Sequence, residues 1–553
     1  MLAAMSAQVF PGRFRRSLDG FAAVAANRGL RRVVAAYAGF NVGEWATWIA
    51  ILVYAYERGG AAEAGLVAFA QLLPATIVGP VAAGLGDRFP RERVLLIAYI
   101  AQAVAMAAAA AALLTDAPAP LVYVLAALTT STITLTRPAH GAILPALAMT
   151  PRELTAANAA SGTVQNVSIL AAPLLAGLLY EAAGAGAVFV LTAAGCALSA
   201  ISVAGVTTVG DDLPAGPDES VGASLAGGVS TLRRSPGPRT IVLMLAASSL
   251  IEGALDVLIV VLAIDLLAIG ESGVGVLSSA VGAGGLIGAA AGFVFVGRRR
   301  LGLPFALGLV VWGIPMVVVG VLPHVVVAIT LLVVAGAGRS LADMAGRTLL
   351  QRVTPDRSLA RVFGVLEGVH TGMIGIGSIA VPAFIGLAGP REALLLLGLW
   401  MPIVVIVGWR ALGRADLAAV VHVRELEVLR AMPLFAPLAP PALERLSANL
   451  AKREVEPGEW IIRQGELGDR YYIIDDGIVD VVIDGTVVRT QGPGDGFGEI
   501  ALIRDVPRTA SIRATTQVAV WELDRDVFLA AVTGHPISRR SADELIAERL
   551  APA

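Results

Sequence analysis

Residues with the most defined chemistry fall in one stretch, Phe497-Gly498-Glu499-Ile500-Ala501-Leu502-Ile503-Arg504-Asp505-Val506-Pro507-Arg508-Thr509-Ala510-Ser511. Gly498 and the small Ala501 let backbone amides at the start of a short helix approach an anion closely. Arg508 supplies a planar, permanently charged fork matched to phosphate oxygens. Glu499 adds an acceptor for a hydroxyl.

A second group of residues is charged within otherwise apolar runs. Glu44 lies beside Asn41, Trp45, Thr47 and Trp48; Arg137 is alone in its run; Glu252 and Asp256 are one helical turn apart; Arg339, Asp343 and Arg347 recur every fourth position. Charges in lipid are costly and mark pathways or coupling sites. The fourfold spacing puts the last three on one helix face, where opposite charges pair. A carboxylate there can load and release a proton as its solvation and its arginine neighbour change.

The elements that hold these groups divide the chain between two solvents. Of 553 residues, 56% are hydrophobic and only 15% charged, and the mean hydropathy is +0.76, far from the usage of water-soluble domains. Runs long enough to cross about 30 Å of hydrocarbon fall near 33–56, 63–85, 94–115, 120–147, 158–182 and 184–207, then near 239–264, 271–296, 303–322, 324–352, 361–387 and 392–412. Arginines gather in alternate loops: Arg88, Arg91 and Arg93; Arg152; Arg233 and Arg234; Arg298 to Arg300; Arg352, Arg357 and Arg361. That bias puts both termini in the cytoplasm.

The spacing therefore predicts an all-α membrane protein of twelve transmembrane helices in two six-helix bundles. A β-roll or jelly-roll domain with flanking helices follows it. The expected boundaries are a cytoplasmic arm (1–30), a first bundle (31–208), a turn-rich cytoplasmic loop (209–238) with an interfacial helix, a second bundle (239–412), a linker helix (413–430) and a soluble domain (431–553). In that domain strands are expected at Trp460–Ile462, Tyr471–Ile474, Val479–Ile483, Thr486–Arg489 and Ser511–Leu523, with glycines at turn spacing between them. Met149-Thr150-Pro151-Arg152 and Val353-Thr354-Pro355-Asp356 end comparable helices about 204 residues apart, an echo that fits repeated transporter halves.

Several classes are set aside. A net charge of −2 gives no basic patch for nucleic acid. The single Cys196 cannot form an intrachain disulfide, and no Cys/His cluster with metal-ligand spacing is present. Neither a nucleophile–base constellation nor a phosphate-binding Walker loop supports an enzyme or an ATP-driven pump.

Over residues 30–412 the chain resembles the major facilitator superfamily. Ala83-Gly84-Leu85-Gly86-Asp87-Arg88-Phe89-Pro90-Arg91-Glu92-Arg93 is similar to that family's Gly-x-x-x-Asp-Arg-x-Gly-Arg-Arg signature, with Ala83 and Pro90 in place of glycines. The resemblance implies that Asp87, Arg88 and Arg91 form a latch between helix ends. Ala172-Pro173-Leu174-Leu175-Ala176-Gly177 loosely resembles the family's antiporter motif, which leans toward efflux. Arg137-Pro138-Ala139 and Leu154-x-x-x-Asn158 resemble exporters of amphipathic solutes. On this likeness Glu44, Arg137, Glu252, Asp256, Arg339 and Asp343 are candidates for substrate contact and coupling, with protons as the coupling ion.

Residues 430–540 closely resemble cyclic nucleotide-binding domains of catabolite regulators, kinase regulatory subunits and gated channels. Ile462-x-x-Gly465 and Ile474-x-x-Gly477 are landmarks of that likeness, and Phe497 to Ala510 matches its phosphate-binding cassette. The likeness implies Arg508 on the cyclic phosphate, Glu499 on the ribose 2′-hydroxyl, Thr509 on the phosphate or base edge, and Phe497, Gly498, Ile500, Ala501 and Ala510 closing the pocket. It implies cAMP, with cGMP as the alternative, and a helix at Ile537–Leu550 as lid. The expected whole is a proton-coupled exporter in a bacterial-type inner membrane, regulated by cyclic nucleotide and needing no metal. Its alternative is a transporter-like sensor that signals through the nucleotide domain.

Overall fold

In the computed structural model, residues 24–88, 90–148, 151–207, 221–292, 300–419 and 423–533 are described, apart from 436, 437, 439–442, 444, 445 and 448. Most of the N-terminal arm, the turn-rich part of the central loop, Arg298 and the expected lid helix lie outside these residues. The chain forms two compact units that divide between residues 420 and 421.

The first unit is helical. Helix α1, Arg28–Arg88, has 61 residues, which would be about 90 Å if straight and far longer than a bilayer is thick. Gly59 (φ −140°, ψ 21°) and Gly60 (φ 63°, ψ −156°) break it, in the gap expected between the first two spans. Next come α2 (Arg91–Leu114), α3 (Ala119–Leu147) and α4 (Pro151–Val203). The last of these is broken by Gly184 (φ 74°, ψ 176°). Glycine is required at such angles because a Cβ would clash with the neighbouring backbone.

After the short α5 (Val221–Arg234), which falls in the expected interfacial segment, the chain runs through α6 (Pro236–Val261), a π-turn (Leu262–Leu266), α7 (Gly270–Gly292) and α8 (Gly302–Val321). It ends this unit with α9 (Val325–Val353), α10 (Asp356–Ala388) and α11 (Pro390–Ala418). Among the described residues, nine helical stretches are long and apolar enough to cross a bilayer.

A continuous apolar core joins the two halves, from Ala50, Leu52 and Val53 in α1 to Leu258 in α6 and Leu309 in α8. Large aliphatic residues such as Leu198, Ile201, Ile406 and Val407 point outward, each more than 60% exposed. In water so many exposed large apolar groups would be costly; against lipid tails they are not. Small residues bring the halves into close approach: a Cβ on Gly275 of α7 would sit 2.3 Å from the carbonyl oxygen of Pro173 in α4. Tyr56 of α1 donates a hydrogen bond to Asp265 beyond α6.

The second unit begins with α12 (Val423–Ala431). The expected linker helix is therefore not continuous, since residues 411–418 extend α11 and a separate helix starts at Val423. Eight strands follow: β1 (Ala451–Val455), β2 (Trp460–Ile462), β3 (Arg470–Asp476), β4 (Val479–Ile483), β5 (Thr486–Gln491), β6 (Gly496–Phe497), β7 (Ser511–Ala514) and β8 (Val518–Asp524). They form two antiparallel four-stranded sheets, β1-β8-β3-β6 and β2-β7-β4-β5. Sequence reading anticipated neither β1 nor β6, and the expected strand Ser511–Leu523 splits in two. Thr515 bonds back to Ile478 instead of continuing the ladder.

Two-residue alternation along β3 builds both layers of this unit. Tyr471 and Ile473 face a helix-side core with Leu426, Leu429, Phe435 and Phe528, whereas Tyr472 and Ile474 face the roll interior with Ile461, Val479 and Phe497. Helix α13 (Glu499–Arg504) sits in the β6–β7 connection, and α14 (Arg525–Thr533) follows β8.

Candidate functional site

The cassette residues converge on one buried arginine. Strand β6 delivers Phe497, 3% exposed and stacked on Tyr472 at 5.1 Å. Gly498 (φ 93°) then turns the chain into α13; a Cβ there would meet Arg508 Nη1 at 2.6 Å and the Arg470 carbonyl at 3.1 Å. Two backbone bonds tie the cassette's far end to the β2–β3 loop: Gly465 donates to the Arg508 carbonyl, and Arg508 to the Glu466 carbonyl, each at 2.8 Å.

The Arg508 side chain is thereby fixed. It is 3% exposed, donates from Nη1 to the Gly498 carbonyl (2.9 Å) and from Nη2 to that of Arg470 (2.8 Å), and lies 5.8 Å from the Tyr472 ring centre. Its nearest carboxylate is the well-exposed Asp469, 3.7 Å away. Burial pulls its pKa below the ordinary arginine value, yet a guanidinium stays protonated at neutral pH. The result is a desolvated cation, aimed by carbonyls, with donors remaining after two are used. An incoming phosphate would be met by a preorganised fork.

Glu499 begins α13 and is 1% exposed; Ala501 is buried, Ile500 and Ala510 are half-buried, and Thr509 is exposed. Gly468 of the β2–β3 loop comes so near that a Cβ on it would lie 3.0 Å from that of Ala501. Sequence reasoning missed Arg470, Tyr472 and Asp469 as the neighbours that hold Arg508. The spacing of Gly465 and Gly468, one tight loop before β3, was the available signal.

In the helical unit the scattered charges meet as pairs. Glu44 accepts from Arg137 at 2.6 Å, joining α1 to α3. Glu252 accepts from Arg339, joining α6 to α9. Arg339 does not pair with Asp343 along its own helix face, as the fourfold spacing suggested; Asp343 instead takes Arg347 at 2.7 Å, and Arg347 also reaches Glu367 of α10. Ser249 bonds His370 Nδ1 at 2.7 Å.

The side chains of Glu44, Arg137, Glu252 and Arg339 are 22–37% exposed, while Asp343 and Glu367 are more than half exposed. Exposure of the charged side chains thus rises from the Glu44–Arg137 and Glu252–Arg339 pairs to Asp343 and Glu367. Of the expected latch, Arg91 donates to the Ala142 carbonyl of α3 at 3.2 Å; the side chains of Asp87 and Arg88 lie outside the described residues.

A bundle of long apolar helices around paired charges, followed by a roll enclosing a buried guanidinium, defines a multi-pass membrane transporter with an appended ligand-binding domain. Residues 33–378 match the family model of the Major Facilitator Superfamily; the chain belongs to that family. Residues 452–535 match the cyclic nucleotide-binding domain.

The soluble part is similar to the cAMP-dependent protein kinase regulatory subunit of Yarrowia lipolytica, 38% identical over 108 residues, or 20% of this chain and 29% of that protein. It is also similar to the type II regulatory subunit of Drosophila melanogaster, 34% identical over 19% of this chain and 28% of that protein. The chain thus spans less than a third of the length of these curated relatives. Among solved structures, the regulatory domain of Toxoplasma gondii PKA with cAMP is 32% identical, with a TM-score of 0.21, covering 23% of this chain and 50% of that one.

Proposed function

We propose that this chain is a proton-coupled exporter of a small amphipathic organic solute, with twelve membrane spans in two six-helix bundles and a cytoplasmic C-terminal domain that binds cAMP. The breaks in α1 and α4 turn two long helices into four arms, which fits the even span count read from the arginine bias. The observation that carries the regulatory half is Arg508, a buried cation held by two carbonyls beside Gly498 and the buried Glu499. The kinase relatives named for cAMP support that nucleotide over cGMP.

In this reading the cavity faces the cytoplasm and takes solute there. Glu44–Arg137 and Glu252–Arg339 are each neutral pairs while no solute is bound; a proton on either carboxylate frees its arginine and changes what the wall can bind. Both termini, the latch residues Asp87, Arg88 and Arg91, and the nucleotide domain lie on the cytoplasmic side of a bacterial-type inner membrane. Nucleotide acts by binding one access state better than the other, the only way a ligand can shift such an equilibrium.

The test uses full-length protein in proteoliposomes holding an internal pH dye under an imposed proton gradient. Adding a transported amphipathic solute collapses the gradient. Saturating cAMP changes that rate by about fivefold or more, and Arg508→Ala removes the change without altering the basal rate. If cAMP binds by calorimetry but leaves the rate untouched, regulation is wrong and the transporter stands.

A further inference from the structure

Helices α6 and α11 run antiparallel along each other. A Cβ on Gly237 of α6 would lie 3.6 Å from that of Ala415 in α11, and one on Gly408 of α11 would lie 3.1 Å from the Met244 sulfur of α6. Deeper in the bundle, Trp400 of α11 donates from Nε1 to the Ala247 carbonyl of α6 at 3.3 Å. Residues three or four apart share a helix face. The α6 row through Ala247 continues to Leu243, more than half exposed, and then to the exposed Arg239. The α11 row through Trp400 continues to Ile403 and Val407, both more than half exposed, and then to the exposed Arg410 and Arg414. The Trp400 bond places both rows on the same side of the seam between the helices.

Along both rows the chemistry changes in the same direction, from aliphatic to cationic. The register that pairs Gly237 with Ala415 and Met244 with Gly408 sets Arg239 level with Gly413, between Arg410 and Arg414. At Gly413 a side chain would meet nothing within 4 Å, so there is room among the three guanidiniums. Arg414 lies along this face, donating from Nε to the Arg410 carbonyl at 3.4 Å. Among the described residues none of the three has a carboxylate partner. The adjacent acid, Asp416, is buried and turned toward α8, where it accepts from the backbone amides of Leu301 and Gly302 at 2.9 Å each. Trp409, more than half exposed, stands beside Arg410 as aromatic residues do at a membrane interface.

We propose that this face seats one anionic phospholipid, with its phosphate among Arg239, Arg410 and Arg414 and an acyl chain along Leu243, Ile403 and Val407 as far as Trp400. From Arg414 to Trp400 the helix rises about 21 Å, close to the depth of a single leaflet, about half of a bilayer's 40–45 Å. Guanidinium forks match phosphate oxygens, and aliphatic rows accept a hydrocarbon chain without loss. The start of α6 adds the positive end of its dipole at the same level. A free phosphate would leave the aliphatic rows uncovered. A zwitterionic lipid would bring its own cation against three others.

The test is native mass spectrometry of the full-length chain in detergent, with phosphatidylglycerol and phosphatidylcholine of distinct acyl mass added in equal amounts. The chain should retain phosphatidylglycerol preferentially, one copy saturating first. Combining Arg239→Ala, Arg410→Ala and Arg414→Ala should lower that preference by about fivefold per arginine, whereas lysine at all three positions keeps the charge and recovers most of it. Arg31→Ala with Arg93→Ala removes two exposed arginines of the first half and should leave the preference within about twofold. A monodisperse gel-filtration peak reports that each variant is folded. Equal retention of the two lipids by the wild type, or an unchanged preference in the triple alanine variant, would overturn the proposal. So would an equal loss from the first-half variant, because the charge would then act diffusely. Release of the lipid by millimolar inorganic phosphate, but not by chloride at the same ionic strength, would mark a site for the free anion and overturn it as well.

Discussion

At the scale of single residues, two positions of the nucleotide pocket make different predictions. Arg508 contributes a charged fork, so Arg508→Ala removes two charge-assisted bonds to phosphate, each about 1.5–3 kcal/mol, and cAMP affinity falls by a hundredfold or more in calorimetry on the full-length protein. Arg508→Lys keeps the charge but cannot make both carbonyl bonds and still meet phosphate bidentately; it should recover only a small part of the affinity. Gly498 is a backbone requirement: at φ 93° any side chain is strained, and its Cβ would strike Arg508 Nη1. Gly498→Ala therefore costs stability by about 1–2 kcal/mol and also displaces the arginine, lowering both the thermal midpoint and the affinity.

The convergence of these residues was legible because the motif is local: glycine, glutamate and arginine lie within eleven positions of one another. Arg339 shows the limit of that reasoning. Helical spacing offered Asp343 as partner, but a side chain on α9 also faces α6, and Glu252 stands there. Periodicity gives the face of a helix, never what packs against it.

At the scale of elements, helix α12 is fastened to the roll by Asp475. This carboxylate, 4% exposed in its side chain, takes Arg424 of α12 through both oxygens at 3.1 and 3.0 Å and Lys452 of β1 at 2.9 Å. Burial alone would raise its pKa, but the hydrogen bond and charge of Lys452 and the charge of Arg424 hold it below the ordinary carboxylate value. A depressed folded-state pKa means that the stabilisation is present above the unfolded value near 3.9 and is lost as pH falls through the folded value. At neutral pH Asp475→Asn should loosen α12 by about 1–3 kcal/mol, read as faster hydrogen exchange over residues 423–431. The wild type should show the same loosening only below about pH 4.

The other side of that element is apolar. Tyr471 and Phe528 stack at 4.5 Å, Phe435 meets both edge-on at 5.8 and 6.2 Å, and Phe528 is fully buried. Phe528→Ala should cost about 3–5 kcal/mol and release α14 first, since that ring is its main anchor. Denaturant unfolding followed by Trp521 fluorescence would show the loss.

At the scale of the whole molecule, each of the two Glu–Arg pairs joins two helices of one half and is neutral in itself. Removing one partner leaves a charge in a poorly solvated wall; removing both does not. Glu44→Gln alone should lower the thermal midpoint of the detergent-solubilised protein more than Glu44→Gln with Arg137→Gln. The same asymmetry should hold for Glu252 and Arg339. Independent additive losses in these cycles would mean that the pairs are not coupled.

The sequence by itself determined where the chain meets lipid and where it meets water, because about twenty apolar residues have only one stable environment. It also pointed to Arg508, because Gly498, Glu499 and Arg508 lie on a short stretch of backbone that the fold closes on itself. Which charges neutralise each other was decided only by tertiary structure. Arg339 and Glu252 are 87 residues apart, and their meeting depends on how α6 packs against α9. The hydrogen bond from Tyr56 to Asp265 likewise exists only because the two halves close on each other, bringing together positions 209 residues apart that no local pattern connects.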